Sequence, residues 1–177
     1  MTYRTHKESD EGIILVKRKI LHSDVLIIIL TRHFGKIAVL AKGVQKITSK
    51  RISVLQTGNI VRINFTEKHN SLRYLSSVEL ISHLSSIKKE LTKLHNLYIL
   101  LYMFERLLPD GQKDPHIYLH CKNSIVRLAK TKSDRFSLKT AMSETLTILG
   151  YGKCQTYEEC VSMTEDIMGK KLPVGVI

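Results

Sequence analysis

The sequence lacks several things, and each absence excludes a class of protein. Its longest apolar runs, "VLIIIL" at residues 25–30 and "LYILLYMF" at residues 97–104, fall far short of the roughly 20 residues that span a bilayer. The opening "MTYRTHKESDEGIILVKRK" holds no uninterrupted apolar segment of the signal-peptide kind, so a soluble cytoplasmic chain without membrane contact is expected. Cysteines number only three, an odd count with no C-x-x-C pair, which fits free thiols in a reducing compartment better than a disulfide framework. There is no GxxxxGK[ST], GxGxxG, HExxH or GxSxG. The S-x-x-K from Ser85 to Lys88 is too short a pattern to carry meaning on a solvated helix face. No cofactor and no enzymatic activity are therefore expected. Internal repeats and low-complexity segments are also absent.

The most informative shortage is local. Between Asp24 and Glu67 no acid occurs, in a chain that has 16 acids in 177 residues. The same stretch carries seven bases: Arg32, Lys36, Lys42, Lys46, Lys50, Arg51 and Arg62. Over the whole chain 28 lysines and arginines give a formal charge of +12, which favours polyanionic partners. The bias is concentrated early, with 14 bases against six acids in residues 1–80 and 14 against ten in residues 81–177.

Apolar residues change texture once along the chain. From Glu11 to about Ser82 they come in short β-branched runs, and from about Leu84 at helical spacing. This predicts two domains, residues 1–82 and 83–177. In the first, "GIILVKRKI" reads as a strand and "VLIIILTRHFGKIAVLAKG" as two strands joined at His33 to Lys36. "NIVRINFTE" and "LRYLSSVELI" follow as the fourth and fifth. Closing five strands into a barrel removes the open edges, which points to an oligonucleotide-binding (OB) type barrel. In the second, Leu84, Ile87, Leu91, Leu94, Leu101 and Leu108 predict one long amphipathic helix ending at "PDG". Asp114 and Pro115 supply an N-cap and first helical residue for a helix to about Lys130. A third helix covers about Ser137 to Leu149. Thr156 and Glu159 form a capping-box pattern for a fourth, which stops near Gly169. The fold class expected is α+β, a five-stranded barrel followed by an all-helical domain.

A single lysine in such a stretch is ordinarily a solvated charge, but the acid-free set suggests an anion site. Phosphate backbones are held by several cations along a groove, with an exposed aromatic as a stacking platform. The candidate nucleic-acid contacts are Arg32, Lys36, Lys42, Lys46, Lys50, Arg51 and Arg62, with Arg73 on the fifth strand. Lys17 and Arg18, together with Arg62 and Arg73, form the alternative location. Phe34, Phe65 and Tyr74 are the candidate platforms, although small barrels need large side chains inside. His116 and His120 sit at i,i+4 beside Cys121, spacing that two imidazoles of a metal site could use. Inward packing of Cys121 explains the same pattern, and no metal is expected.

The run "EGIILVKRKILHSDVLIIILTRHFGKIAVLAKGVQKITSK" resembles the amino-terminal domain of the RecO recombination mediators. It has "SD" before the second strand, T-x-x-x-G-K at the next turn (Thr31, Gly35, Lys36) and A-K-G (Ala41, Lys42, Gly43) leading into a basic loop. The helical half agrees through "LYILLYMFERLLPDGQKDPHIY" and "LTILGYG". The resemblance implies an OB barrel joined to a helical domain that binds single- and double-stranded DNA and anneals strands. It also implies two partners, RecR and the acidic, apolar-tipped tail of the single-strand binding protein. Arg127 and Lys130, with Lys132 and Arg135 nearby, are the candidate cations for that tail. The likeness departs at the carboxyl end, where many relatives carry a four-cysteine zinc site and this chain has only Cys154 and Cys160. An RNA-binding barrel, which only a 2′-hydroxyl preference would distinguish, and a pure interaction scaffold are the competing expectations.

Overall fold

The computed structural model describes residues 6–20, 23–44, 51–67, 72–131 and 135–173. They belong to two compact units, Met1–His83 with Asp110–Pro115, and Leu84–Pro109 with His116–Ile177. The first unit contains β1 (His6–Lys19), β2 (Val25–Thr31), β3 (Gly35–Ala41), the short helix α1 (Arg51–Val54), β4 (Ile60–Glu67) and β5 (Arg73–Ser82). The strands close into a barrel in the order β1-β2-β3-β5-β4, so the expected five-stranded OB-type barrel is present. All pairings are antiparallel except β3 with β5.

Strict alternation builds the core. Val25, Ile27 and Ile29 of β2 face inward with Ile37, Val39 and Ala41 of β3, Val61, Ile63 and Phe65 of β4, and Leu75 of β5. β1 is longer than the expected Gly12–Ile20. Its polar first half, "HKESDE", pairs with β4 from His6↔Glu67 to Ile13↔Ile60, and its second half pairs with β2 from Gly12↔Thr31 to Lys19↔Val25. The polar half shows no alternation of apolar residues, so only its backbone ladder reveals it as strand. The handover between neighbours falls at Gly12, where an added Cβ would lie 2.4 Å from the Ile29 side chain.

The β2–β3 turn is fixed from several sides. The buried carboxylate of Asp10 accepts the His33 backbone N–H at 2.7 Å and pairs with His33 Nδ1 at 2.9 Å. Thr31 Oγ1 donates to the Gly35 carbonyl at 2.8 Å and accepts the Phe34 N–H at 3.1 Å. The segment Asp110–Pro115 lies directly on this turn. Gly111 N–H donates to the Lys36 carbonyl at 2.9 Å, and a Cβ on Gly35 would sit 2.1 Å from the Gln112 carbonyl oxygen. Gly35 thus serves both a positive φ of 68° and a close approach of two backbones.

The second unit contains α2 (Ser85–Lys88), α3 (Leu91–Leu107), α4 (Pro115–Lys130), α5 (Arg135–Ile148) and α6 (Tyr157–Met168). The single long helix expected from Leu84 to Leu108 is broken: Lys89 ends α2 and Glu90 is extended before α3. Neither glycine nor proline marks the break. Leu84 initiates α2 with φ of 49°, while its carbonyl accepts from Ile87 and Lys88. Beyond the break Leu91 is exposed, whereas Leu97, Leu100, Leu101 and Phe104 are buried. Pro115 opens α4 as expected. The capping box at α6 is complete, with Thr156 Oγ1 accepting the Glu159 N–H and Glu159 accepting the Thr156 N–H, and Gly169 closes the helix in the left-handed conformation.

Free thiols at every cysteine are not what forms. Cys154 and Cys160 are joined in a disulfide with Cα atoms 5.3 Å apart, and both are fully buried. The capping loop folds the first turn of α6 back onto the residue that precedes it, a proximity that spacing alone does not reveal. Cys121 remains a free, buried thiol.

Gly111 also has positive φ, 70°, but an added Cβ there meets nothing within 4 Å. Gly111→Ala should therefore lose only the left-handed conformational term, about 1–2 kcal/mol. Gly35→Ala should lose about 1–3 kcal/mol beyond that, through overpacking against backbone. Denaturant unfolding of both variants measures the difference, and equal losses would remove the steric role of Gly35.

Candidate nucleic-acid interface

The register of the barrel sorts the sequence's cations by position. β2 and β3 meet at Thr31↔Gly35 at their turn and at Val25↔Ala41 at the other end; strands of this length span about 20 Å. Arg32 and Lys36 therefore sit at one end of the barrel and Lys42 at the other. Lys42 is joined there by the end of β1, because Lys17, Arg18 and Lys19 pair with Ile27, Leu26 and Val25. Arg51, at the start of α1, donates from Nη2 to the Lys42 carbonyl at 3.3 Å. Arg73 opens β5 opposite Val39. Asp24 pins the A-K-G turn by accepting the Gly43 N–H at 2.8 Å.

Lys17 pairs with the core residue Ile27 and is half-buried. Burial, and then the charge of Lys19, holds its ammonium below the usual lysine range. On the outer face, Arg18, Leu26, Leu40 and Tyr74 are successive partners across β1, β2, β3 and β5, and the Lys42 ammonium lies 5.1 Å from the centre of the Tyr74 ring.

The remaining candidates divide. Lys36, a candidate nucleic-acid contact in the sequence, has a side chain only 9% exposed, and its ammonium pairs with Asp110 at 3.2 Å. Burial of the turn under Asp110–Pro115 is the reason. Arg62 is exposed, but its strand partners are Glu11 and Glu79, and it pairs with Glu79 at 3.4 Å. Arg73 is half-buried and pairs with Glu67 at 3.4 Å. Arg32 is exposed at the turn end. Lys46 and Lys50 fall outside the described residues. Of the aromatics, Phe65 is core and Phe34 packs edge-to-face on it at 5.3 Å. Tyr74 alone of the three lies beside Lys42. Lys17 to Lys19 form the part of this cluster that the acid-free stretch could not indicate; only the β1–β2 register brings them to Lys42.

In the helical unit Arg127 is held by both oxygens of Glu144, and that contact lowers the Glu144 pKa. Arg127, Lys130, His120, Asn123, Ser124 and Glu144 line an open cavity of about 480 Å³. Ser124 Oγ is buried there without a hydrogen-bond partner. Lys132 and the Arg135 side chain fall outside the described residues. The His116, His120 and Cys121 trio does not converge: His120 Nε2 is 2.9 Å from Thr145 Oγ1, while burial raises the Cys121 thiol far above its usual range. Among the described residues no group of three or more His, Cys, Asp or Glu side chains could hold a metal, and no helix is long and apolar enough to cross a membrane.

A closed five-stranded barrel in this order is an OB-type barrel. Residues 4–84 match the family described as "Recombination protein O N terminal". The chain is 26% identical over 159 residues to a DNA repair protein RecO of Prosthecochloris aestuarii, covering 89% of this chain and 60% of that protein. It is 23% identical over 142 residues to its namesake in a Thermoanaerobacter species, covering 80% and 57%. For the namesake in Glaesserella parasuis the values are 28% over 142 residues, 80% and 58%. The match to that family covers the amino-terminal part of the chain, and the chain spans a little over half the length of these relatives.

His120 generates a pH dependence. Burial is the largest influence and lowers its pKa from the ordinary 6.5; Glu144 opposes this and Arg127 reinforces it. The unfolded chain then binds the proton more readily, so stability is lost as pH falls through about 6.5 toward the lower folded value. Melting temperature should drop between about pH 7.5 and 5.5, and His120→Gln should flatten that drop. An identical slope in the variant would remove His120 as its source.

Proposed function

We propose that the protein is a non-enzymatic DNA repair and recombination mediator that binds single- and double-stranded DNA through its barrel. Annealing requires no bond chemistry: a cationic rim lowers the repulsion between two strands, and base pairing supplies the rest. Loading of recombinase together with RecR is the wider role that the family relationship supports. The observation that carries the reading is the convergence of Lys17, Arg18, Lys19, Lys42 and Arg51 at one end of the barrel, from three separate stretches of sequence.

The test is a fluorescence-anisotropy titration of a short single strand across a salt series. With about five phosphates neutralised, log affinity should fall against log salt with a slope of roughly −3 to −4. Replacing Lys42 and Arg51 by glutamine should make the slope shallower by about 1.4, whereas Arg32→Gln at the opposite end should leave it unchanged. The reverse pattern would move the interface to the β2–β3 turn.

The α4–α5 cavity supports a partner role for Arg127 and Lys130, namely docking of the acidic tail of the single-strand binding protein. The tail's carboxylates would compete with Glu144 for Arg127. A labelled tail peptide should bind in the micromolar range, more tightly to Glu144→Gln, and not detectably to Arg127→Glu. Binding unaffected by both changes would place the tail elsewhere.

A further inference from the structure

The row Arg18, Leu26, Leu40 and Tyr74 is contiguous across four strands, and salt-dependent phosphate binding makes no use of it. The alternation that turns Val25, Ile27, Val39 and Leu75 into the core turns these four side chains out. Leu26, Leu40 and Tyr74 are each half-buried. They make a narrow apolar strip on the outside of the barrel, with the exposed cations Arg18 and Lys42 at its sides. Lys42 lies over the Tyr74 ring at 5.1 Å, a contact that is weak where water reaches the ammonium. Each partner has a stronger alternative in a nucleic-acid strand: the ring can take the face of a base, and the ammonium a phosphate.

We propose that Tyr74 is a base-stacking platform that makes the barrel favour single strands over duplex, with Lys42 transferring from the ring to a phosphate of the same strand as the base arrives. The inference rests on the single-strand reading above. In a duplex each base is already stacked and paired, so its face is closed to the ring. Duplex DNA can then use the cations but not Tyr74. Leu26 and Leu40 continue the strip beside the ring, so a neighbouring base meets apolar surface rather than water.

The sequence contains no tryptophan, so Tyr74→Trp introduces a sole indole at the platform, whose emission is excited selectively over that of the tyrosines. Four probes are titrated at one salt concentration: a single strand, the matching duplex, an abasic strand of equal length, and inorganic polyphosphate. Binding is followed by anisotropy for the labelled nucleic acids and by competition for polyphosphate. Strong quenching of the indole by the single strand alone is expected. In parallel, Tyr74→Ala in the otherwise unchanged chain should weaken single-strand binding about tenfold or more and leave duplex binding within about twofold. If the unsubstituted protein binds single strands, but the indole is not quenched and Tyr74→Ala lowers both affinities equally or neither, the platform is overturned while the cationic interface stands. If the unsubstituted protein binds no single strand, the interface itself falls and the platform with it. Equal quenching by the abasic strand or polyphosphate would mean that phosphate, not a base, approaches Tyr74, and would also overturn the proposal.

Discussion

Closure of the barrel depends on one short contact. β3 and β5 meet in parallel over only two residue pairs, Val39↔Arg73 and Leu40↔Tyr74, whereas each of the other four pairings runs for seven residue pairs or more. Without it, β3 and β5 would present two open edges, the liability that barrels abolish. The same contact brings Tyr74 next to Lys42 and sets Arg73 across from the β3 core. The element that makes the sheet continuous therefore also assembles the outward face of the proposed interface. Leu75, one residue beyond, drives the packing that holds it, since its side chain enters the core cluster with Val39 and Phe65.

The opposite end of the barrel is organised for rigidity. Asp10, Thr31 and Gly35 fix the β2–β3 turn through hydrogen bonds at 2.7–3.1 Å, and Asp110–Pro115 covers it. A turn so occupied has little left for a ligand. The motif T-x-x-x-G-K, which in sequence looks like part of a basic binding stretch, has a structural explanation at each position. Thr31 caps the turn, Gly35 admits the Gln112 carbonyl, and Lys36 meets Asp110.

Much of the architecture was legible because it rests on local rules. The short apolar, β-branched runs in "VLIIIL" and "KIAVLA" announce two strands, Pro115 opens α4, and Thr156 with Glu159 announces the start of α6. The features that escaped depend on partners distant in sequence. The polar half of β1 is strand only because β4 lies beside it. Lys36 and Lys42 are six residues apart in a uniformly basic run, yet a single strand carries them to opposite ends, and only the register shows it. Lys17 and Arg18, legible in the sequence as an alternative location, are brought together with Lys42 only by the β1–β2 and β2–β3 pairings. The break between α2 and α3 has no glycine or proline to signal it, and the Cys154–Cys160 link requires the capping loop to fold first.

The cross-strand neighbours of Arg62 have a directional consequence. Glu11, Arg62 and Glu79 lie side by side on β1, β4 and β5, two negative charges around one positive. For the proposed interface this acid-flanked face would be a barrier to a polyanion, so that a strand held beside Lys17 and Lys42 would be turned away from β4, its route set as much by the acids it avoids as by the bases it meets.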